Sequence, residues 1–215
     1  MTRAWFQTLT GRAFTISAPA SDMIDLSIDL PEMLARVPRF NGSTVGGHYS
    51  VAQHSCLTAD AILDETGDIE TATIGLLHDA HEYVIGDITS PMQEALGEIE
   101  LDLFATNGRP HIEVVIEEAK RRLDRAIFAA CGVPWPPRDH QLRTVKAFDL
   151  RMLATEKRQL LAPPTKRWPS RIEKAEPIRM RGRITLWSMA RAADEFRNRL
   201  RQFCPAVASR FQKEG

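Results

Sequence analysis

Apolar side chains recur every three or four residues along most of the chain beyond Pro31. The stripes in 112–130 and 186–203 both keep this spacing, and the second takes steps of 3, 4, 3, 4 and 3. Such spacing is typical of an amphipathic helix that buries one face. We therefore predict an all-α fold, with one helical bundle at 31–162 after an N-terminal extension at 1–30 that carries a short β-hairpin. A basic loop rich in proline and arginine at 163–183 then leads to a C-terminal helix at 184–215 that packs on the bundle.

Capping residues and breakers mark several helix ends. Ser50 precedes a periodic segment and Gly67 follows it, which predicts a capped helix between them. The segment 69–82 is apolar on most faces and predicts one buried helix. A further helix is expected at 139–161, because prolines follow it directly.

Opposite charges balance along the chain. Its 215 residues include 28 Lys and Arg and 28 Asp and Glu, so the formal net charge is zero. Proteins dedicated to nucleic acids or membrane surfaces normally carry a basic excess, so neither partner is expected. Cys56, Cys131 and Cys204 lie far apart, which favours neither a disulfide framework nor a cysteine zinc site and fits a reducing cytoplasm. No signal peptide and no run of 18 apolar residues is present, and a cytoplasmic location is predicted.

Two predicted helices carry a charged or titratable side chain on an otherwise core-like face. The first face consists of Val51, His54, Thr58 and Ala61, and the second of Leu142, Val145, Asp149 and Leu153. Taken alone, His54 can be a core histidine bonded to backbone, and Asp149 can be a salt-bridge partner. An unpaired buried carboxylate is costly, so Asp149 should be paired or bound to a metal ion.

The buried segment 69–82 adds His78 and Asp79. Adjacent helical residues point about 100° apart, so both reach one ion only if it lies between their directions. Glu82 follows His78 by one turn on the same side. Two histidines and two carboxylates, with His54 and Asp149 included, can hold a divalent cation and leave positions open for water.

The order of these residues resembles the metal signature of the HD-domain phosphohydrolases. The surrounding motifs are more specific, and they resemble the 5′-deoxynucleotidase branch of that family. They lie at 39–42, 49–55, 77–82, 86–91 and 145–149. The resemblance covers residues 31–161, and the opening segment 5–12 resembles a bacterial and phage subgroup of this branch.

The resemblance implies an all-α HD domain that binds one divalent ion. Its ligands would be His54, His78, Asp79 and Asp149, and Mn, Co, Fe, Mg and Zn all suit this mixture of imidazole and oxygen donors. Glu82 would position or deprotonate the attacking water, or protonate the leaving oxygen. Family habit also suggests a homodimer.

Four further residues receive roles from the resemblance. Asp87 would contribute to the catalytic centre, and Arg39 would grip the phosphate through its guanidinium fork. Phe40 would pack against base or sugar, and Lys146 would neutralise phosphate. The plainer alternatives are a turn residue for Asp87, a surface arginine for Arg39, a core phenyl ring for Phe40 and a solvated lysine for Lys146. For Glu82 the alternative is an acid on the helix surface.

Two histidines and one glutamine stand apart from these assignments. His81 is expected to be structural or to lie behind the ligands, and His111 to lie at the surface. Gln93 occupies a position where the deoxynucleotidases carry a lysine, which leaves the choice between mono- and triphosphate open. The basic segment 165–183 favours a solvated loop, with closure over a phosphorylated substrate as the alternative.

The predicted function is a metal-dependent phosphoric monoester hydrolase that acts on small-molecule nucleotides. The favoured reaction is that of a 5′-deoxynucleotidase, which converts a deoxynucleoside monophosphate to the deoxynucleoside and phosphate. One alternative is a triphosphohydrolase that releases tripolyphosphate from a deoxynucleoside triphosphate. The other is a non-catalytic HD module that binds a nucleotide.

Overall fold

The computed structural model describes residues 3–104, 111–204 and 207, and they are mostly helical. The helices are α1 (Asp29–Leu34), α2 (Val51–Thr66), α3 (Ile69–Leu77), α4 (Glu82–Ile85), α5 (Ser90–Phe104), α6 (His111–Cys131), α7 (Asp139–Leu160), α8 (Ser170–Glu173) and α9 (Met189–Phe203). Strands β1 (Trp5–Gln7) and β2 (Ala13–Thr15) pair antiparallel, with Phe6 opposite Phe14. The prediction of an all-α fold with a short N-terminal hairpin is confirmed. None of the described helices is long and apolar enough to cross a membrane.

Helix α2 lies at the centre of the bundle. It packs against α1, α3, α7 and α9, and α3 also packs against α6, α7 and α9. Gly75 allows α3 to lie close to α2, because a Cβ there would stand 2.5 Å from Ile62 Cδ1. This close packing brings the end of α3 beside the first turns of α2.

The ends of α2 are those expected from the sequence. The Ser50 side chain accepts a hydrogen bond from the Gln53 N–H, and Gly67 takes the left-handed conformation (φ 67°) just past the last turn. The cap fixes where the first turn of α2 begins, and the packing of α2 against α3 and α7 then sets the position of His54.

The continuous helix predicted at 69–82 is wrong in one respect, because α3 ends at Leu77 and 78–81 form a turn. The turn is tightened by backbone hydrogen bonds between residues three apart, such as Ala80 N–H to Leu77 O and Glu82 N–H to Asp79 O. The His78 ring also bonds the Gly75 carbonyl oxygen through Nδ1, at 2.7 Å. The directions of His78, Asp79 and Glu82 therefore follow a tight turn rather than one straight helix.

The segment between α7 and α9 is tied to the bundle. Ile172 and Ile178 are buried, and the Ile178 N–H donates to the Thr155 hydroxyl of α7. Gln53 of α2 bonds the backbone of the same segment at Thr185 and Trp187. The basic side chains at 166, 167, 171, 179, 181 and 183 are exposed.

Helix α9 covers the bundle with the apolar stripe that the sequence shows. It packs against α1, α2 and α3 and buries Ala193, Phe196, Leu200 and Phe203. It begins at Met189 rather than at 184, and the part of the predicted helix at 205–206 and 208–215 lies outside the described residues.

Candidate metal centre

Four donor atoms converge where α2, the 78–81 turn and α7 meet. His54 Nε2 lies 3.4 Å from His78 Nε2 and 3.2 Å from Asp149 Oδ1. Asp79 Oδ2 lies 3.2 Å from His78 Nε2 and 3.7 Å from His54 Nε2. His54 is fully buried, whereas the Asp149 side chain is 37% exposed, so the cluster opens to solvent on the α7 side.

The shorter of these distances, at 3.2–3.4 Å, fit a common ion, whereas His54 to Asp79 at 3.7 Å and His78 to Asp149 at 3.8 Å are longer. Donor atoms about 2.1 Å from one ion lie about 3.0–3.4 Å apart in octahedral or tetrahedral geometry. Imidazole and carboxylate donors suit a divalent transition ion or magnesium. His54, His78 and Asp149 therefore form one group that can hold an ion, and Asp79 lies beside both histidines. Asp79 also forms a second group with His81 and Glu82, whose possible ligand atoms lie within 4.8 Å of one another.

The charged side chains of the cluster shift one another's pKa values. Burial works against the charge of His78, but Asp79 and Asp149 raise its pKa well above the ordinary range. Burial and Arg39 oppose the charge of His54, yet Glu156 and Asp149 still raise its pKa. Burial raises the pKa of Asp149, but its hydrogen bonds to both histidines hold the pKa well below its usual value. The histidines and the carboxylates of the cluster thus each favour the charged form of the other.

Glu156 of α7 also belongs to this centre, although the sequence predicts no role for it. Its Oε1 lies 2.6 Å from His54 Nδ1 and accepts a 2.6 Å hydrogen bond from the Tyr49 hydroxyl. Its side chain is 0% exposed, and Arg39, His54 and Tyr49 lower its pKa against the effect of burial. Lys157 and Arg158 follow it directly, a charged stretch typical of an exposed helix end, so no local signal indicated its burial.

The stripe that α7 buries differs from the one predicted. Leu142 is 45% exposed, and the buried positions are instead Gln141, Val145, Phe148, Met152, Ala154, Thr155, Glu156 and Leu160. The prediction had placed Leu142 with Asp149 on a core face. Asp149 lies at the margin of the buried stripe, where a ligand can face both the cluster and solvent.

Arg39 reaches the cluster from a strained loop. Its Nη1 lies 3.2 Å from Asp79 Oδ2 and its Nη2 lies 3.4 Å from Glu156 Oε2. Phe40 (φ 55°) and Asn41 (φ 50°) both take the left-handed conformation, which costs about 1–2 kcal/mol for a residue such as phenylalanine and less for asparagine. Such strain concentrates at functional sites, where surrounding contacts hold it.

Only 11% of the Arg39 side chain is exposed, so the surface alternative for it is wrong. Its Nε–H has no hydrogen-bond partner among the described residues. A buried guanidinium with an open donor can bind an anion at the cluster.

Glu82 is also buried, with 5% of its surface exposed, which excludes the helix-surface alternative. Its Oε2 has no hydrogen-bond partner among the described residues. Burial, followed by the charges of Asp79 and Asp87, raises the Glu82 pKa to about 10. Such a carboxyl group can hold a proton near neutral pH and transfer it within the site.

Asp87 connects the turn after α4 to the strained loop. It accepts a hydrogen bond from the Phe40 backbone N–H, and burial raises its pKa. Asp87 and Asn41 also line a cavity of about 460 Å³, whose walls include Met33, Val37 and Tyr83. Among the residues with a predicted role, Asp87 lines this cavity, and the four predicted ligands do not.

His81 and His111 are not among the predicted ligands, although a ring nitrogen of His81 lies within 4.8 Å of the Asp79 carboxylate. His81 Nδ1 lies 2.9 Å from Asp124 of α6, so the histidine joins the 78–81 turn to that helix. His111 is exposed and contacts Glu100 of α5. Gln93 donates a 2.6 Å hydrogen bond to the Ile88 carbonyl oxygen and closes the turn there.

Phe40 and Lys146, the other two residues predicted to contact the substrate, lie in different surroundings. The Phe40 ring packs edge-on against Trp168, with 6.5 Å between centroids, and Trp168 belongs to the basic segment. Lys157 Nζ stands 5.6 Å from the centre of the Trp168 ring. Lys146 is exposed on α7, one turn before Asp149. The structure thus adds Trp168, rather than Lys146, to the contacts around Phe40.

Comparison with known proteins finds bacterial relatives. No family model matches the chain. It is 39% identical over 107 residues to an uncharacterized protein of Rhodobacter capsulatus, and the match covers 47% of this chain and 54% of that protein. It is 27% identical over 166 residues to the uncharacterized protein YfdR of Escherichia coli, which covers 77% and 78% of the two chains. The chain spans about half the length of the first relative, and neither name states an activity.

Proposed function

We propose that the chain is a metal-dependent phosphohydrolase of the HD-domain type that releases phosphate from deoxynucleoside 5′-monophosphates. The observation that carries the proposal is the convergence of His54, His78, Asp79 and Asp149 beside two buried, incompletely bonded groups, Glu82 and Arg39. When bound, the ion would lower the pKa of a water ligand and stabilise negative charge on the phosphoryl group.

The residues of the chain divide the remaining work. Arg39 would direct its open Nε–H and its charge at the phosphate, since a guanidinium fork matches phosphate oxygens. Glu82 would exchange a proton with the attacking water or the leaving 5′ oxygen, because burial keeps its carboxyl group able to hold one. Asp87 would keep the Arg39 loop in place through the Phe40 N–H.

The cavity beside Asp87 supports a nucleoside as the leaving group. Its volume of about 460 Å³ lies in the range of ligand pockets, roughly 300–1,000 Å³. Its lining mixes apolar groups, such as Val37 and Pro38, with the polar groups Arg36, Asn41 and Asp87. A sugar and a base together present the same mixture of surfaces.

A deoxynucleoside triphosphohydrolase is the second candidate. The exposed basic side chains of 165–183 favour it, because Trp168 brings that segment against Phe40 next to Arg39. Additional positive charge there would suit additional phosphate groups. Gln93, at a position where the deoxynucleotidases carry a lysine, leaves the choice between mono- and triphosphate open.

A substrate panel tests both candidates. Purified protein is freed of metal, supplied with Mn²⁺ or Co²⁺, and incubated with deoxynucleoside mono-, di- and triphosphates. We expect inorganic phosphate from the monophosphates, whereas tripolyphosphate from the triphosphates would favour the second candidate. Release of neither product by protein that contains metal would refute both and leave the non-catalytic binding module.

A further inference from the structure

Glu156 contacts two groups of different proposed function. One oxygen, Oε1, accepts from His54 Nδ1 and from the Tyr49 hydroxyl, both at 2.6 Å. The other, Oε2, faces Arg39 Nη2 at 3.4 Å. The Glu156 side chain that makes these contacts has no solvent exposure. We propose that Glu156 is a positioning residue that orients His54 for metal binding and holds Arg39 at the site, an inference that rests on the proposed function.

The first effect follows from the tautomer of His54. With Glu156 as acceptor, Nδ1 carries the hydrogen, and the lone pair of Nε2 points toward His78 and Asp149. A carboxylate behind a ligand histidine fixes ring orientation and raises ligand basicity. Loss of such an outer partner typically weakens metal binding about 10–100-fold.

The second effect concerns the strained loop. Arg39 divides its guanidinium between Asp79, a proposed ligand, and Glu156, which is not one. Its backbone N–H donates to the Tyr49 carbonyl oxygen at 2.9 Å, while the Tyr49 hydroxyl donates to Glu156. Glu156 therefore keeps part of the Arg39 charge away from Asp79 and leaves that carboxylate able to bind an ion.

The test compares Glu156→Gln with Glu65→Gln. The glutamine at 156 keeps size and one acceptor oxygen but loses the charge, and its amide would face Arg39. Glu65 also joins α2 to α7, through Arg151 at 2.8 and 2.9 Å, yet it lies about three turns from His54 on α2. It is therefore a matched control for the loss of one carboxylate between the same helices.

Metal affinity and a spectroscopic signal are measured on full-length protein. Equilibrium dialysis of metal-free chains against Co²⁺ should give a Kd about 10–100-fold higher for Glu156→Gln and an unchanged Kd for Glu65→Gln. In the Zn²⁺-loaded protein labelled with ¹⁵N-histidine, the His54 Nδ1–H resonance should move and exchange faster in Glu156→Gln alone. An unchanged Kd together with an unchanged resonance would overturn the proposal.

A second variant covers failure of the glutamine variant to fold. Glu156→Asp keeps the charge but withdraws the carboxylate by about 1.5 Å, and it should bind Co²⁺ more weakly than wild type but more tightly than Glu156→Gln. Wild-type affinity in Glu156→Asp, with the glutamine variant unfolded, would refute the positioning role.

The outcomes also separate this inference from the proposed function. Co²⁺ binding that depends on Glu156, without release of phosphate from any nucleotide, would remove only the proposed function. Phosphate release by a Glu156→Gln variant with wild-type metal affinity would remove only the positioning role. A wild-type chain that takes up no ion overturns both.

Discussion

Substitution of Asp149 by asparagine should weaken divalent-ion binding at least about 100-fold, which corresponds to about 2.8 kcal/mol. Asp149 Oδ1 lies 3.2 Å from His54 Nε2 and 3.8 Å from His78 Nε2, so it belongs to the convergent donor set. The set contains two anionic donors, Asp79 and Asp149, and asparagine removes one of the two charges while it keeps the shape of the side chain.

The weaker ion binding of the variant should be measurable as a smaller ion-induced rise in Tm. At an ion concentration about 1,000 times the wild-type Kd, binding stabilises the fold by about 4.1 kcal/mol, and a 100-fold higher Kd leaves about 1.4 kcal/mol. For a chain of this size the difference lowers the ion-induced rise in Tm by about 5–11 °C. Each variant is compared with its own metal-free form, because loss of the Asp149 charge also alters that state.

The assay is thermal unfolding with and without Mn²⁺, supported by elemental analysis. Asp139→Asn is the matched control, since Asp139 is an exposed residue in the first turn of the same helix, α7. The control should keep the full shift. A shift in Asp149→Asn equal to that of wild type would show that Asp149 is not a ligand.

Four other predictions concern the residues of the site. Glu82→Gln should retain the ion but release phosphate at least about 100-fold more slowly, because it cannot exchange a proton; unchanged turnover excludes Glu82 from the mechanism. The raised pKa of Glu82 means that, between pH 4.5 and about 10, the metal-free folded chain holds a proton that the unfolded chain has lost. The free energy of unfolding should therefore fall as the pH rises through this range. In urea titrations, the free energy of unfolding of Glu82→Gln should depend less on pH than that of wild type. Arg39→Lys should raise the KM for the nucleotide about tenfold in steady-state assays, because lysine lacks the planar fork, and an unchanged KM argues against phosphate binding there. Mn²⁺ binding should release protons from His54 and His78, whose pKa values are raised, so the Kd for Mn²⁺ should fall as pH rises. Calorimetry in two buffers of different ionisation enthalpy measures the number of protons released. Binding without proton release would contradict the assignment of these histidines as ligands.

Much of the helical framework could be predicted from local patterns. Helix α2 begins after Ser50 and ends before Gly67 because a side-chain cap and a left-handed glycine are local chemistry. His54 and Asp149 were found because they interrupt apolar faces. The structure brings both to one cluster.

The features that the sequence did not predict depend on tertiary contacts. Glu156 precedes Lys157 and Arg158 in a highly charged stretch that is typical of a solvent-exposed helix end. Only the packing of α7 against α2 makes it a buried partner of His54. The contact between Trp168 and Phe40 joins residues far apart in sequence, and no local pattern indicates it.

The end of α3 shows a different limit. At residues 78–81 the backbone hydrogen bonds tighten to a spacing of three residues. Periodicity over a window of about 11–18 residues averages over such a local change. The ligand directions in the turn therefore had to come from the structure.

The most direct test is a titration of metal-free protein with Mn²⁺ while phosphate release from a deoxynucleoside monophosphate is followed. We predict no release without the ion, and activity that rises linearly and saturates at one ion per chain, the number that the donor set of His54, His78, Asp79 and Asp149 can hold. Full activity in the presence of a chelator, or one bound ion per chain without any phosphate released, would contradict the proposed function.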